Sequence, residues 1–372
     1  MRQSRRDFVR GIMPLVGGTA ALAGTRPDAA RNVVVYQEPG RFAGWPANHG
    51  IWSWKNEILV GFEIGRFRAG ATGHAIDYST PAEHVLARSL DGGESWKIER
   101  PDSLQPPPGE KVAGVPTGER GKPLADCPGG IDFTHRDFVL TARMASIHAG
   151  QSRFYHSADR GRNWPGPYRL PDFGQRGTAA RTDYLVNGRH DLTLFLTAAK
   201  SNGREGRVIA GRTRDGGKNW QFEAYVTPEP EGDEYAIMPS SVRLSRSTIL
   251  TAVRYRKFID LYRSRDDGRT WEHAGRPAPE TGGNPPSLVR LRDKRLALTY
   301  GYRLRPYGIR ARISSDDGRT WGNEIVLRED GGNWDLGYTR TVERADGRLV
   351  TVYYYNTAAD AERFIGATIW SA

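Results

Sequence analysis

Ser264-Arg-Asp266-Asp-Gly268-Arg-Thr270-Trp271 is one of five copies of a single eight-residue phrase, Ser/Thr-x-Asp-x-Gly-x-Ser/Thr/Asn-Trp. The others run Ser89 to Trp96, Ser157 to Trp164, Thr213 to Trp220 and Ser314 to Trp321. Each reads as a hairpin turn. The Asp carboxylate accepts backbone N–H groups across the turn, the Gly supplies a positive φ, and the Trp anchors the departing strand in the core. These residues are architectural, and a turn of this kind belongs at the outer rim of its sheet.

A looser repeat precedes most of the boxes and alternates as strand, turn, strand. Pro239 to Arg254, Pro286 to Gly301 and Thr339 to Tyr354 are its clear copies, and weaker ones begin near Pro46, Ile131 and Thr182, which makes six. The box tryptophans at 96, 164, 220, 271 and 321 lie 68, 56, 51 and 50 residues apart, the scale of one four-stranded blade. Six strand pairs with five box turns predict an all-β, six-bladed β-propeller of antiparallel four-stranded blades whose last blade lacks the turn. Asn32–Tyr36 is expected to pair with Ile365–Trp370 and close the ring, which removes exposed sheet edges. Pro101 to Pro128, rich in Pro, Gly and Lys, has no strand pattern; it reads as an inserted surface loop and a candidate for lining the mouth of a site.

Ahead of the repeats, Ser4-Arg5-Arg6-Asp7-Phe8-Val9 and the small, apolar stretch Gly11–Ala23 have the layout of a twin-arginine signal peptide. Residues 1–30 are therefore expected to be a leader and 31–372 a single propeller domain, exported to the periplasm or secreted. Without the leader the formal charge falls from +11 to +8, which favours an oligosaccharide or polysaccharide partner of anionic character. No long Lys/Arg run or recognition motif points to nucleic acid, and no second apolar run suggests a membrane segment in the mature chain. The lone Cys127 makes no internal disulfide. No His or Cys spacing demands a metal, and no phosphate-cradling Gly loop precedes a helix, so no cofactor is expected. Oligomeric state is not legible.

Five such boxes on a six-blade count resemble the Asp-box, or BNR-repeat, sialidase superfamily, over essentially the whole mature chain. That resemblance implies the propeller fold and, for its sialidases, three arginines on a substrate carboxylate, a Tyr–Glu nucleophile and an Asp acid/base. Phe42-Ala-Gly44-Trp-Pro46 and Ile58 to Arg66 look like the family's opening strand pair, with Gly44 where its first arginine belongs. By the same resemblance Asp77 is the candidate acid/base, with Asp126 and Asp132 as competitors. Glu234 and Tyr338 are the candidate base and nucleophile. Arg254 or Arg256 and Arg303 or Arg305 are the remaining arginines, and Arg66 and Arg340 are further substrate-binding candidates. From their chemistry, Trp45 is a candidate for stacking on a sugar ring and His49 for acid/base work.

The function these readings imply is an exo-acting glycoside hydrolase removing a terminal acidic sugar. A polysaccharide lyase on uronic-acid polymers and a non-catalytic glycan-binding propeller are the alternatives.

Overall fold

The computed structural model describes residues 27, 30–109, 111–112, 115–116 and 121–372. The expected leader, apart from Pro27 and Ala30, lies outside the described residues.

Each box turn folds as its chemistry dictates. In the turn quoted first, Gly268 N–H donates to Ser264 Oγ (2.8 Å), and the Thr270 N–H and hydroxyl donate to the two Asp266 oxygens (2.9 and 2.6 Å). Trp271 Nε1 closes the turn on the Gly268 carbonyl (2.9 Å). Burial alone would raise the Asp266 carboxyl, but the bonds from Thr270, Ser264 and Arg269 N–H hold it down at about 2. Asp266→Ala is expected to lower the unfolding free energy by ~1–3 kcal/mol, read from urea denaturation, because several turn donors lose their acceptor. The depressed value means that this contribution is present above the carboxylate's ordinary pKa and is lost as pH falls toward 2.

Six antiparallel sheets surround one axis, and a two-stranded sheet, Lys111–Val112 with Val115–Pro116, forms within the Pro101–Pro128 insertion, where no strand was expected. Blade 4 shows the plan, with Ile237–Arg243, Ile249–Arg254, Ile259–Ser264 and Glu272–Ala278 ordered from axis to rim. Blade 5 repeats it with Pro286–Arg290, Leu296–Tyr302, Gly308–Ser314 and Ile325–Arg328. Blade 6 joins Gly337–Glu343, Leu349–Tyr355 and Phe364–Trp370 to the N-terminal strand Arg31–Tyr36, in a register that sets Asn32 opposite Thr368 and Val34 opposite Gly366. The ring is closed by its two ends, as the sequence predicts.

Blades 1 to 3 depart from the plan near the axis. In blade 1 the inner strand is split into Arg41–Gly44 and Ile51–Trp54 by a one-turn helix, Pro46–His49, and in blade 3 it is split into Thr178–Ala179 and Tyr184–Gly188. Blade 2 has three strands, Val139–Met144, Ser152–Ser157 and Tyr168–Arg169, and the Thr141 hydroxyl at its inner edge donates to the His49 carbonyl (2.8 Å). The Pro101–Pro128 insertion runs along the outer side of blade 2, where Ala125 bridges Tyr168 and the Tyr155 hydroxyl donates to the Gln105 carbonyl (2.9 Å). None of its described residues lines the cavity described below.

Adjacent inner strands share no backbone ladder, so their N–H groups need other acceptors. Side chains provide them: Ser240 Oγ accepts from Leu288 N–H (2.9 Å), Ser287 Oγ from Thr341 N–H (3.0 Å) and Asp183 Oδ1 from Ser241 N–H (3.0 Å). Apolar clusters fill the spaces between blades, among them Leu250, Leu261, Leu288 and Leu298 between blades 4 and 5. No helix among the described residues is long and apolar enough to cross a membrane.

Candidate functional site

The inner strands enter the axis through irregular backbone. In blades 4 and 6 the register slips between Ile237 and Ser240 and between Gly337 and Arg340. Met238 and Tyr338, inside those bulges, both take left-handed φ angles of 52°, and Trp45 at the head of blade 1's helix takes 61°. Such backbone is strained for residues with a side chain and serves here to turn side chains toward the mouth of the axis.

Asn284 locks the most important of these turns. Its fully buried amide accepts from Tyr338 N–H (2.8 Å) and donates to the Leu336 carbonyl (2.8 Å). Gly337 between them has φ +103°, and a Cβ there would lie 2.4 Å from the Asn284 amide. Asn284→Ala is expected to cost ~2 kcal/mol of stability by orphaning the buried Tyr338 N–H and leaving the Leu336 carbonyl with Arg303 Nε as its remaining side-chain donor. It should also reduce the activity proposed below ~10- to 100-fold by loosening the Tyr338 backbone; calorimetry and steady-state kinetics measure the two effects.

Tyr338 stands in the wall of a 210 Å³ cavity also lined by Trp45, Asn48, His74, Tyr78, Arg181, Glu205, Tyr235 and Arg254. Its hydroxyl accepts from Arg254 Nη1 (3.1 Å), and the guanidiniums of Arg254 and Arg303 sit 5.6 and 5.4 Å from its ring centre. Burial pushes the Tyr338 phenol up, but the charges of Arg254, Arg303 and Arg181 outweigh it and hold the phenol below the usual tyrosine range. Arg254 ends the second strand of blade 4, and Arg303 follows the second strand of blade 5, two residues beyond the position equivalent to Arg254. Arg181 is ion-paired to Glu205 at 2.6 Å.

A second network adjoins it. Asp335, with no exposed surface, accepts from Tyr354 (2.7 Å) and approaches His74 Nδ1 (2.6 Å) through Oδ1, and it accepts from Arg363 Nε and Ala75 N–H (both 3.0 Å) through Oδ2. Burial would raise this carboxyl; the bond and charge of His74, the charge of Arg363 and the Tyr354 hydroxyl hold it well below the usual carboxylate range. Arg303 Nη2 donates to Tyr354 Oη (2.9 Å) and so joins the two networks.

Of the residues singled out in the sequence, Tyr338, Arg254, Arg303 and Trp45 converge here. Glu234 does not line the cavity: its side chain is half exposed and faces Arg256 (3.4 Å), while its neighbour Tyr235 turns inward to Arg254 Nη2 (3.3 Å). Asp77 lies outside the lining, its carboxylate accepting from the Ser79 N–H and hydroxyl (3.0 and 2.6 Å). Arg66 is exposed at the end of its strand.

His49 is fully buried behind the cavity against Glu63 (3.2 Å), the residue registered opposite Gly44. Burial, followed by the charge of Arg143, holds its imidazole well below the usual range, whereas burial lifts Glu63 to about 7. Arg340 lies one level deeper on the axis, donating to the Ala47 and Thr182 carbonyls (2.6 and 2.5 Å) and lining a second cavity of 290 Å³.

His74, Asp335, Arg181, Glu205 and Tyr235 were not selected from the sequence as site residues. A signal for one of them existed: in four of the six copies the residue just before the start is the large side chain Trp45, Arg181, Met238 or Tyr338, and aligning the copies would have pointed to Arg181. Among the described residues no group of three His, Cys, Asp or Glu side chains is placed to hold a metal ion.

The fold is shared with solved structures at low identity. A protein of unknown function from Dyadobacter fermentans superimposes with a TM-score of 0.68 at 22% identity, over 91% of this chain and 98% of that one. The NanB sialidase of Streptococcus pneumoniae gives 0.60 at 12%, over 91% and 70%. The α-L-arabinanase of Penicillium chrysogenum gives 0.57 at 13%, over 91% and 97%. A search of the curated proteins gave no match. The model of the BNR repeat-like domain matches residues 138–351, more than half of the chain. With its box turns and its closed ring of six blades, the chain belongs to the BNR repeat-like family and has the sialidase-like propeller fold.

Proposed function

We propose that this protein is a glycoside hydrolase that removes a terminal acidic sugar from a glycan, with Tyr338 as the nucleophile. One observation carries the reading: a buried phenol, acidified by three guanidiniums, faces a sugar-sized cavity. A tyrosine at its ordinary pKa is a weak nucleophile and needs activation. Here the cations do part of what a neighbouring carboxylate base would otherwise do, by stabilising the phenolate. The same guanidiniums suit a substrate carboxylate or sulfate, because Arg binds planar anions in a fixed fork. The propeller's likeness to a sialidase and an arabinanase supports a saccharide substrate. The paired arginines Arg5 and Arg6 support action outside the cytoplasm.

Elimination from a uronate polymer is a second reading, favoured by the bond of the Tyr338 hydroxyl to a guanidinium. A phenolate so placed can abstract the proton beside a carboxylate whose charge the arginines neutralise.

The test is product analysis on a panel of aryl glycosides and glycosiduronides beside uronate polymers. Hydrolysis is expected, faster for acidic than for neutral sugars of the same linkage. An unsaturated, ultraviolet-absorbing product would establish elimination instead. Tight binding of glycan with no product after prolonged incubation would make the protein a binder and sink both catalytic readings.

A further inference from the structure

Protonation of the leaving oxygen needs a donor at the cavity, and Asp77, in the loop that follows the second strand of blade 1, turns its carboxylate to Ser79. Three residues earlier the same loop delivers His74 into the lining. We propose that His74, held by Asp335, is the proton donor and acceptor of the reaction, an imidazole in the role more often taken by a carboxylic acid. The inference rests on the hydrolase reading above.

The geometry separates the two ring nitrogens. Nδ1 is committed to Asp335 Oδ1 at 2.6 Å, whereas Nε2 has no hydrogen-bond partner among the described residues, and about a quarter of the side chain is exposed. Asp335 cannot turn away, because Arg363, Tyr354 and Ala75 N–H occupy its remaining valences. The imidazole cannot tilt freely either. Trp45 meets it edge-on at 5.2 Å between ring centres, Trp334 lies at 5.8 Å, and Tyr338 itself stands perpendicular at 6.3 Å. A ring fixed through Nδ1 by a buried carboxylate, with Nε2 left for the cavity, is the arrangement that proton transfer requires.

The step balances without any further reagent. Tyr338 phenolate oxygen bonds to the anomeric carbon as the bond to the leaving oxygen breaks; the electron pair goes to that oxygen, which takes the Nε2 proton of His74 imidazolium. Water then attacks the anomeric carbon, gives a proton back to Nε2 and releases the Tyr338 phenolate. The phenol and the imidazole serve the two partners of one bond, which accounts for their sharing one wall.

The experiment compares the full chain with His74→Gln and Tyr338→Phe on a series of glycosiduronides whose leaving groups run from nitrophenol to a simple alkanol. For His74→Gln, kcat/KM on the alkyl substrate is expected to fall ~10³-fold and on the nitrophenyl substrate less than ~10-fold, since only the poor leaving group needs the proton. Tyr338→Phe should lose both alike. Equal losses for both substrates in His74→Gln, or no loss, would overturn the inference while leaving the hydrolase reading intact. Failure of the full chain to cleave any member would remove that reading, and the inference with it. If His74→Gln does not fold, the full chain's own series decides: a shallow dependence on leaving-group acidity supports the proton donor, and a steep one overturns it.

Discussion

Tyr338→Phe is expected to lower kcat by at least ~10³-fold while leaving the protein folded. The substitution removes one oxygen and keeps the ring among His74, Tyr354, Arg254 and Arg303, so packing is preserved. The phenol is buried and bonded to Arg254, so its loss withdraws the nucleophile and an acceptor, and little else. Binding of an unreactive acidic sugar should change only modestly, because the guanidiniums remain. A companion variant tests the electrostatics. The cations hold the phenol's pKa down against burial, so Arg303→Met should raise it and move the ascending limb of the pH–rate profile to higher pH. A profile that stays in place, or a Tyr338→Phe enzyme of undiminished rate, would remove Tyr338 from the chemistry.

Asp335→Ala is expected to be the most destabilising single change near the site, at ~3–5 kcal/mol in urea unfolding. It would leave the buried Arg363 without its carboxylate and strand the Tyr354 hydroxyl, Ala75 N–H and His74 Nδ1 together. Asp335→Asn keeps the shape and should cost less. The pH sign follows from the depressed carboxyl: its contribution is in place above the ordinary carboxylate pKa of ~3.9 and disappears as pH falls below it toward the folded value. Acid unfolding of the native protein should therefore show a carboxylate-linked loss that Asp335→Asn lacks. Equal acid profiles for the two proteins would show that the network does not couple to folding.

The repeat architecture was legible because it is local. A box turn is eight consecutive residues whose Asp, Gly and Trp bond to one another, and an inner strand pair is sixteen residues of alternating character; neither needs a distant partner to be recognised. The departures near the axis in blades 1 to 3 were not legible. Pro46–His49 lies where a strand was expected and instead forms a helical turn, because Trp45 takes a left-handed φ that no pattern of polarity announces.

The site divides along the same line. Tyr338, Arg254 and Arg303 were reached through the family resemblance, and each lies at or within two residues of an end of a repeat copy, where the pattern fixes the strand. Glu234 and Asp77 were reached by the same resemblance, and each stands within a few residues of a side chain that does line the cavity, Tyr235 and His74. In an irregular loop a shift of one to three residues decides which side chain faces the axis, and no periodicity governs it.

Strand order, turn chemistry, blade number and ring closure were thus determined by the sequence alone, since each follows from hydrogen bonding and side-chain alternation over short stretches. The pairing of His74 with Asp335, 261 residues away, and the gathering of Arg181, Arg254 and Arg303 around one phenol were decided only by the tertiary structure. Closing the ring brings loops from different blades to one mouth, and the contacts made there depend on backbone paths that no single blade contains.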